Sequence, residues 1–184
     1  NEISNLDSTT YTKRFSVYVT DANGVAVGNQ VVSLSVIPNN YRKGTLTKGA
    51  THWGLSAGSF VTCPNEDSNQ NGILDKVPSN EDTNNNGQLT PGNVVVASPG
   101  IVTTDSAGRT SFDLQYGEHY APWVDVRISA RAAVAGTESI AATDFALVGL
   151  DSDFVITNTP AGVNSPFGTV ITTISGVAPC ANPN

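Results

Sequence analysis

Two stretches of the chain carry oxygen-bearing side chains at matched spacing. Glu66-Asp67-Ser68-Asn69-Gln70-Asn71-Gly72-Ile73-Leu74-Asp75 is followed by Glu81-Asp82-Thr83-Asn84-Asn85-Asn86-Gly87-Gln88-Leu89-Thr90. Both obey E-D-x-N-x-N-G-x-L, with an offset of 15 residues. Counted from the aspartate, side-chain oxygens at positions one, three and five of a tight loop converge on one point. Glycine at six permits the sharp turn, and the carbonyl at seven turns inward. The first loop then offers Asp67, Asn69, Asn71, the Ile73 carbonyl and Asp75. The second offers Asp82, Asn84, Asn86 and the Gln88 carbonyl. Neither loop has a glutamate at position twelve, where Pro78 and Asn93 stand, so Glu66 and Glu81 are left to complete the sets, each loop lending one to the other. The pattern predicts a calcium site, with two ions or one shared ion.

Calcium accepts six to eight amide, carboxylate and carbonyl oxygens, whereas magnesium keeps its waters and demands an octahedron. Many of the ligands are neutral Asn, which predicts weak binding, roughly 10⁻⁵–10⁻³ M. An Asn-Gly turn between short strands explains the glycines but not the doubled acidic pair. Residues 66–82 hold five carboxylates against Lys76 alone, so a cation would let this acidic segment fold with almost no apolar core. The flanks lack helical periodicity, which excludes a true EF-hand. The loops resemble those of dockerins and thrombospondin type 3 repeats, which share the D-x-[DN]-x-[DN]-G core.

Other chemistry is sparse. Cys63 and Cys180 are the only cysteines, too few for a thiolate zinc site. A disulfide between them is expected, worth roughly 5 kcal/mol as an upper figure in the chain-entropy model. Gly54-Leu55-Ser56-Ala57-Gly58 matches G-x-S-x-G, but a nucleophile elbow needs a strand-to-helix turn that the surroundings do not offer. His119 and Asp144 would complete a triad only in the wrong fold and chain order. His52 and His119 lack zinc spacing. No enzymatic activity is expected. Trp53, Trp123, Tyr41 and Tyr120 form a sugar platform if exposed, or a plug at a junction if buried.

The elements that must position these loops are strands. Phe15, Val17 and Val19 alternate with polar neighbours, as do Val32, Leu34 and Val36. Phe112, Leu114 and Tyr116 repeat the pattern, as do Val124, Val126 and Ile128. Period two marks antiparallel sheets with one wet face. The reading is an all-β antiparallel sandwich over 1–150, with strands near 12–20, 29–37, 109–116, 123–133 and 137–148. A calcium-binding interruption is expected over 38–100, and a C-terminal extension over 151–184, tethered by the disulfide. Within the extension, Phe167 to Ser175 is a short β-prone run.

With 39% hydrophobic and 14% charged residues among 184, the chain suits a folded domain rather than a disordered tail. A net charge of −7 carries no footprint for nucleic acid. No apolar run is long enough to span a membrane. The absence of methionine predicts a processed product or a piece excised from a longer chain. The acidic, Thr-, Ser-, Asn- and Gly-rich composition fits an extracellular or bacterial cell-surface module.

Val19-Thr20-Asp21-Ala22-Asn23-Gly24-Val25-Ala26-Val27, followed by the strand Val31 to Val36, resembles the opening of bacterial immunoglobulin-like domains of the invasin/intimin type (group 1). Thr103-Thr104-Asp105-Ser106-Ala107-Gly108-Arg109-Thr110 resembles their turn into a late strand, and Val134-Ala135-Gly136-Thr137-Glu138 the hairpin before the closing strand. The resemblance covers residues 10–37 and 101–148. It implies an Ig-like β-sandwich and a structural stalk or adhesion role in a larger surface protein. The partners expected are neighbouring Ig-like domains of the same chain and a host or matrix protein or glycan. The alternative is a carbohydrate-binding accessory module of a secreted protein.

Overall fold

Alternation of apolar and polar residues produces two antiparallel sheets. A computed structural model describes residues 3–184. The strands are β1 (Ile3–Asp7), β2 (Thr10–Tyr18), β3 (Val31–Gly44), β4 (Thr47–Lys48), β5 (Trp53–Gly54), β6 (Phe60–Pro64), β7 (Val95–Ser98), β8 (Ile101–Thr103), β9 (Arg109–Gly117), β10 (Val124–Val134) and β11 (Thr137–Ala146). One sheet has the order β1-β2-β9-β7. The other has the order β11-β10-β3-β6, with β8 also paired to β3. The sheets form a sandwich-like, all-β fold, and β4 and β5 make a separate ribbon. Phe112, Leu114 and Tyr116 of β9 are buried, as are Val124, Val126 and Ile128 of β10.

Two turns join the layers by the same device. Asp21 Oδ1 accepts the N–H groups of Asn23 at 2.8 Å and Val25 at 2.9 Å. Asp105 Oδ1 accepts those of Ala107 at 2.8 Å and Arg109 at 2.9 Å. The side chain thus replaces the backbone partner a tight turn lacks. Gly108 has φ +72°, and a Cβ there would lie 2.6 Å from the Val19 carbonyl, so glycine is required twice over.

β3 extends to Gly44, past the boundary expected at 38, and β6, β7 and β8 also lie inside the interval 38–100 while belonging to the sheets. The irregular part narrows to 65–94. Alternation hid this because β3 carries Pro38 and two asparagines mid-strand. The ladder absorbs them in a bulge: Val126 pairs with Pro38 and Asp125 with Asn40, which leaves Asn39 unpaired. β2 ends at Tyr18, two residues before the expected boundary, and β3 begins at Val31. Phe167 to Ser175 forms no strand.

Cys63 and Cys180 are bonded. Cys63 lies within β6, a strand of the five-stranded sheet, and not outside the frame strands as the sequence reading had it. The extension 151–184 is held by more than this bond. Leu46 N–H donates to the Val163 carbonyl at 2.8 Å, Trp53 N–H to Phe154 at 2.7 Å and Trp123 Nε1 to Gly162 at 2.7 Å. Lys43, 1% exposed, donates its ammonium to the Pro179 and Asn182 carbonyls at 2.9 and 2.6 Å. Burial lowers its pKa.

Candidate metal centre

The 65–94 segment leaves the sheet at the β3 bulge. Asn65 N–H donates to the Asn39 carbonyl at 2.9 Å, and Asn65 Nδ2 to the Pro38 carbonyl at 2.8 Å. The irregularity that interrupts the ladder therefore anchors the first repeat.

Within each repeat the side chains close on their own backbone. Asp67 accepts from Asn71 N–H at 3.0 Å and Gly72 N–H at 2.9 Å. Asp82 accepts from Gly87 N–H at 3.1 Å. Asn69 Oδ1 accepts from Asn71 N–H at 3.0 Å, and Asn84 Oδ1 from Asn86 N–H at 2.9 Å. The N–H groups of Ile73 and Gln88 donate to Asn71 and Asn86 at 2.7 and 2.8 Å. Positions four and six are left-handed in both repeats: Gln70 and Asn85 at φ 60° and 57°, Gly72 and Gly87 at 74° and 79°.

Position nine gathers the amides. Asn69 and Asn71 both donate to Asp75 Oδ2, at 2.7 and 2.9 Å. Asn84 and Asn86 both donate to Thr90 Oγ1, at 2.9 and 3.0 Å. A half-turn about the last side-chain bond exchanges amide nitrogen for oxygen, so the same side chains can present oxygens to that point.

Glu66 and Glu81 cross between the repeats. Glu66 Oε1 accepts from Thr83 Oγ1 at 2.7 Å and Asn84 N–H at 3.0 Å, and its Oε2 from Thr90 N–H at 2.9 Å. Glu81 Oε1 accepts from Ser68 N–H and Oγ at 2.9 and 2.8 Å, and its Oε2 from Asp75 N–H at 3.1 Å. Each glutamate braces positions two and nine of the other loop. Hydrogen bonds from the Ser68 hydroxyl and the Asp75 backbone hold the Glu81 carboxyl below the usual range.

Sequence reasoning missed Asn65, Asn80, Ser68, Thr83 and Thr90. The 15-residue offset pairs Asn65 with Asn80, Ser68 with Thr83 and Asp75 with Thr90. Extending the comparison one residue to each side of the nine-residue pattern would have exposed Asn65 with Asn80 and Asp75 with Thr90. The repeats differ in burial. Asp82, Asn84 and Thr90 are buried, whereas Asn69, Asn71 and Gly72 are exposed. The second repeat sits near Tyr41, whose phenol is pushed up to about 12 by burial and by the Glu66 charge. Lys76 Nζ lies 3.7 Å from Asp82 Oδ2.

Among the described residues, no three His, Cys, Asp or Glu side chains group as a metal cluster. Each repeat brings at most two carboxylates of its own to its turn; the other candidate oxygens belong to amides, a hydroxyl and carbonyls. That all-oxygen donor set falls within what calcium accepts.

The remaining candidates lie elsewhere. Ser56 Oγ accepts from Thr47 Oγ1 at 3.0 Å. Asp144 accepts from Arg127 at 3.2 Å and Asn39 at 3.0 Å. His119 packs on Tyr120 with ring centroids 4.0 Å apart. Trp123 and Tyr41 are fully buried, and Tyr120 stacks on Phe167. Trp53 is half-buried, with its Nε1 on the Asn158 carbonyl at 2.8 Å and Lys48 over its ring. Comparisons of the chain with protein-family models, with curated proteins and with solved structures find no match.

Proposed function

We propose that the protein is a non-enzymatic, extracellular Ig-like module of a larger bacterial surface protein, with a structural or adhesive role, whose 65–94 segment binds calcium. The observation that carries the metal reading is the repetition itself. Two unlike environments, one buried and one exposed, hold the same gathering of oxygen-bearing side chains around position nine. An ordinary turn needs one capping aspartate, and here four side chains of each repeat take part. Asp67, Asn69, Asn71, the Ile73 carbonyl and Asp75 would hold one ion. Asp82, Asn84, Asn86, the Gln88 carbonyl and Thr90 would hold a second. Glu66 and Glu81 would set the loops against each other.

The role of the ion is mechanical. It would replace hydrogen bonds between neutral amides and position nine with short ion–oxygen contacts, which stiffens a segment poor in apolar contacts. The disulfide supports an oxidising location. Burial of Trp123 and Tyr41 favours a structural role over a glycan platform. Calorimetric titration with calcium tests the reading. Saturable binding at two sites is expected, with Asp67→Ala and Asp82→Ala each removing one. A hundredfold excess over Kd stabilises the fold by about 2.7 kcal/mol per site, and a chelator should lower Tm accordingly. No heat and an unchanged melt would overturn it.

A further inference from the structure

The chain has nine lysine and arginine residues, and their placement is uneven. Eight lie in β2, β3, β4, β9 and β10, where the backbone is engaged in ladders. Lys76 alone lies outside a strand. It sits in the connector 76–80 that joins the two repeats, and its side chain is 64% exposed. Val77 beside it is 83% exposed, more than any other large apolar side chain among the described residues. Among those residues the backbone N–H and carbonyl groups of Lys76 and Val77 make no hydrogen bond. The Glu81 N–H closes the connector at its base, donating to the Asp75 carbonyl at 2.9 Å. The Lys76 ammonium is 3.7 Å from Asp82 Oδ2, a long contact that leaves it open to water.

We propose that the Lys76–Val77 bond is a processing site for an endopeptidase that takes a cationic side chain before the bond it cuts. The product is a folded, two-chain form of this protein. Such a protease must hold its substrate by the substrate's own backbone groups, which a paired strand has already committed to its neighbours. Lys76 and Val77 have those groups free. Water adds across the bond, leaving a carboxylate on Lys76 and an ammonium on Val77. The fold keeps the pieces together in three ways. Residues 1–76 hold β1 to β6 and residues 77–184 hold β7 to β11, so the pairs β2–β9, β3–β8 and β3–β10 run between them. Glu66 reaches Thr83, Asn84 and Thr90 across the cut. Cys63 lies in one piece and Cys180 in the other, so their bond takes over the covalent continuity that the backbone loses. The inference is independent of the calcium reading.

Brief digestion of the folded, full chain with trypsin, without added calcium, is the test. One early cut is expected, placed after Lys76 by mass spectrometry. Without reductant the product should remain a single species, heavier by one water and with unchanged far-UV circular dichroism. In denaturant with reductant it should separate into 1–76 and 77–184. Lys76→Gln should slow the first cut by about a hundredfold or more, because a pocket built for an ammonium gains little from an amide. A first cut after any other residue, no cut before the chain unfolds in urea, an equal rate in Lys76→Gln, or unfolding of the nicked, unreduced chain would each overturn the proposal.

Discussion

Asn84 and Asn69 hold the same place in their repeats and make the same contacts. One is 3% exposed and the other faces water. The buried repeat packs near Tyr41, and Asn86 and Thr90 line one cleft with Tyr120, Phe167 and the terminal residues Pro183 and Asn184. The outer repeat lines a cleft with Val36, Ile37 and Pro38 of β3 and is anchored there by Asn65, yet its Asn69, Asn71 and Gly72 stay exposed. A motif that folds by hydrogen bonds to its own backbone can therefore sit in either environment. Environment decides what each broken bond costs, since a donor orphaned at buried Asn84 or Thr90 cannot turn to water as one at exposed Asn69 or Asn71 can.

The largest test of this difference is the disulfide. Replacing Cys63 and Cys180 by serine should cost about 2–4 kcal/mol. Hydrogen exchange should rise in the extension and in the buried repeat it covers, but change little in the outer repeat. Equal loosening of both repeats would erase the distinction. Glu66→Ala comes next. It strips acceptors from the Asn84 and Thr90 N–H groups inside the protein and should cost about 2–3 kcal/mol by urea denaturation. Glu81→Ala strips the same bonds from the outer repeat and should cost less. The reverse order would break the comparison.

Acid should separate the repeats more gently. The Glu81 pKa is held down in the fold by Ser68 and the Asp75 backbone. Its contribution is therefore complete above the ordinary glutamate range and lost as pH falls through the lowered value. Amide exchange at Ser68 and Asp75, corrected for its intrinsic pH dependence, should quicken before the β ladders loosen. The smallest effect concerns position four. Gln70→Gly relieves a left-handed residue at φ 60° and should stabilise by about 0.5–1 kcal/mol. Asn85→Gly should change stability by only a few tenths, because asparagine tolerates that region. Paired thermal melts would distinguish the two.

Much of the fold was legible because period-two alternation is a local signal. Phe112-Leu114-Tyr116 and Val124-Val126-Ile128 announce strands whose buried faces match the structure. The disulfide was legible from the cysteine count and the expected oxidising context. β3 beyond Val36 was not, because Pro38 and Asn39 look like a loop until the bulge and the anchor at Asn65 are seen. β1 was missed for a related reason: Ile3-Ser4-Asn5-Leu6-Asp7 has little apolar pattern, and its pairing with β2 is what makes it a strand.

Order along the chain alone determined the two repeats, the glycine at position six and the offset that relates every residue of one loop to its counterpart. These depend on neighbours a few bonds apart. Which repeat is buried was decided only when the β3 bulge, Tyr41 and the disulfide-bonded terminus came together. Those contacts join residues far apart in sequence, and their free energy depends on local exclusion of water, which no stretch of the chain specifies by itself.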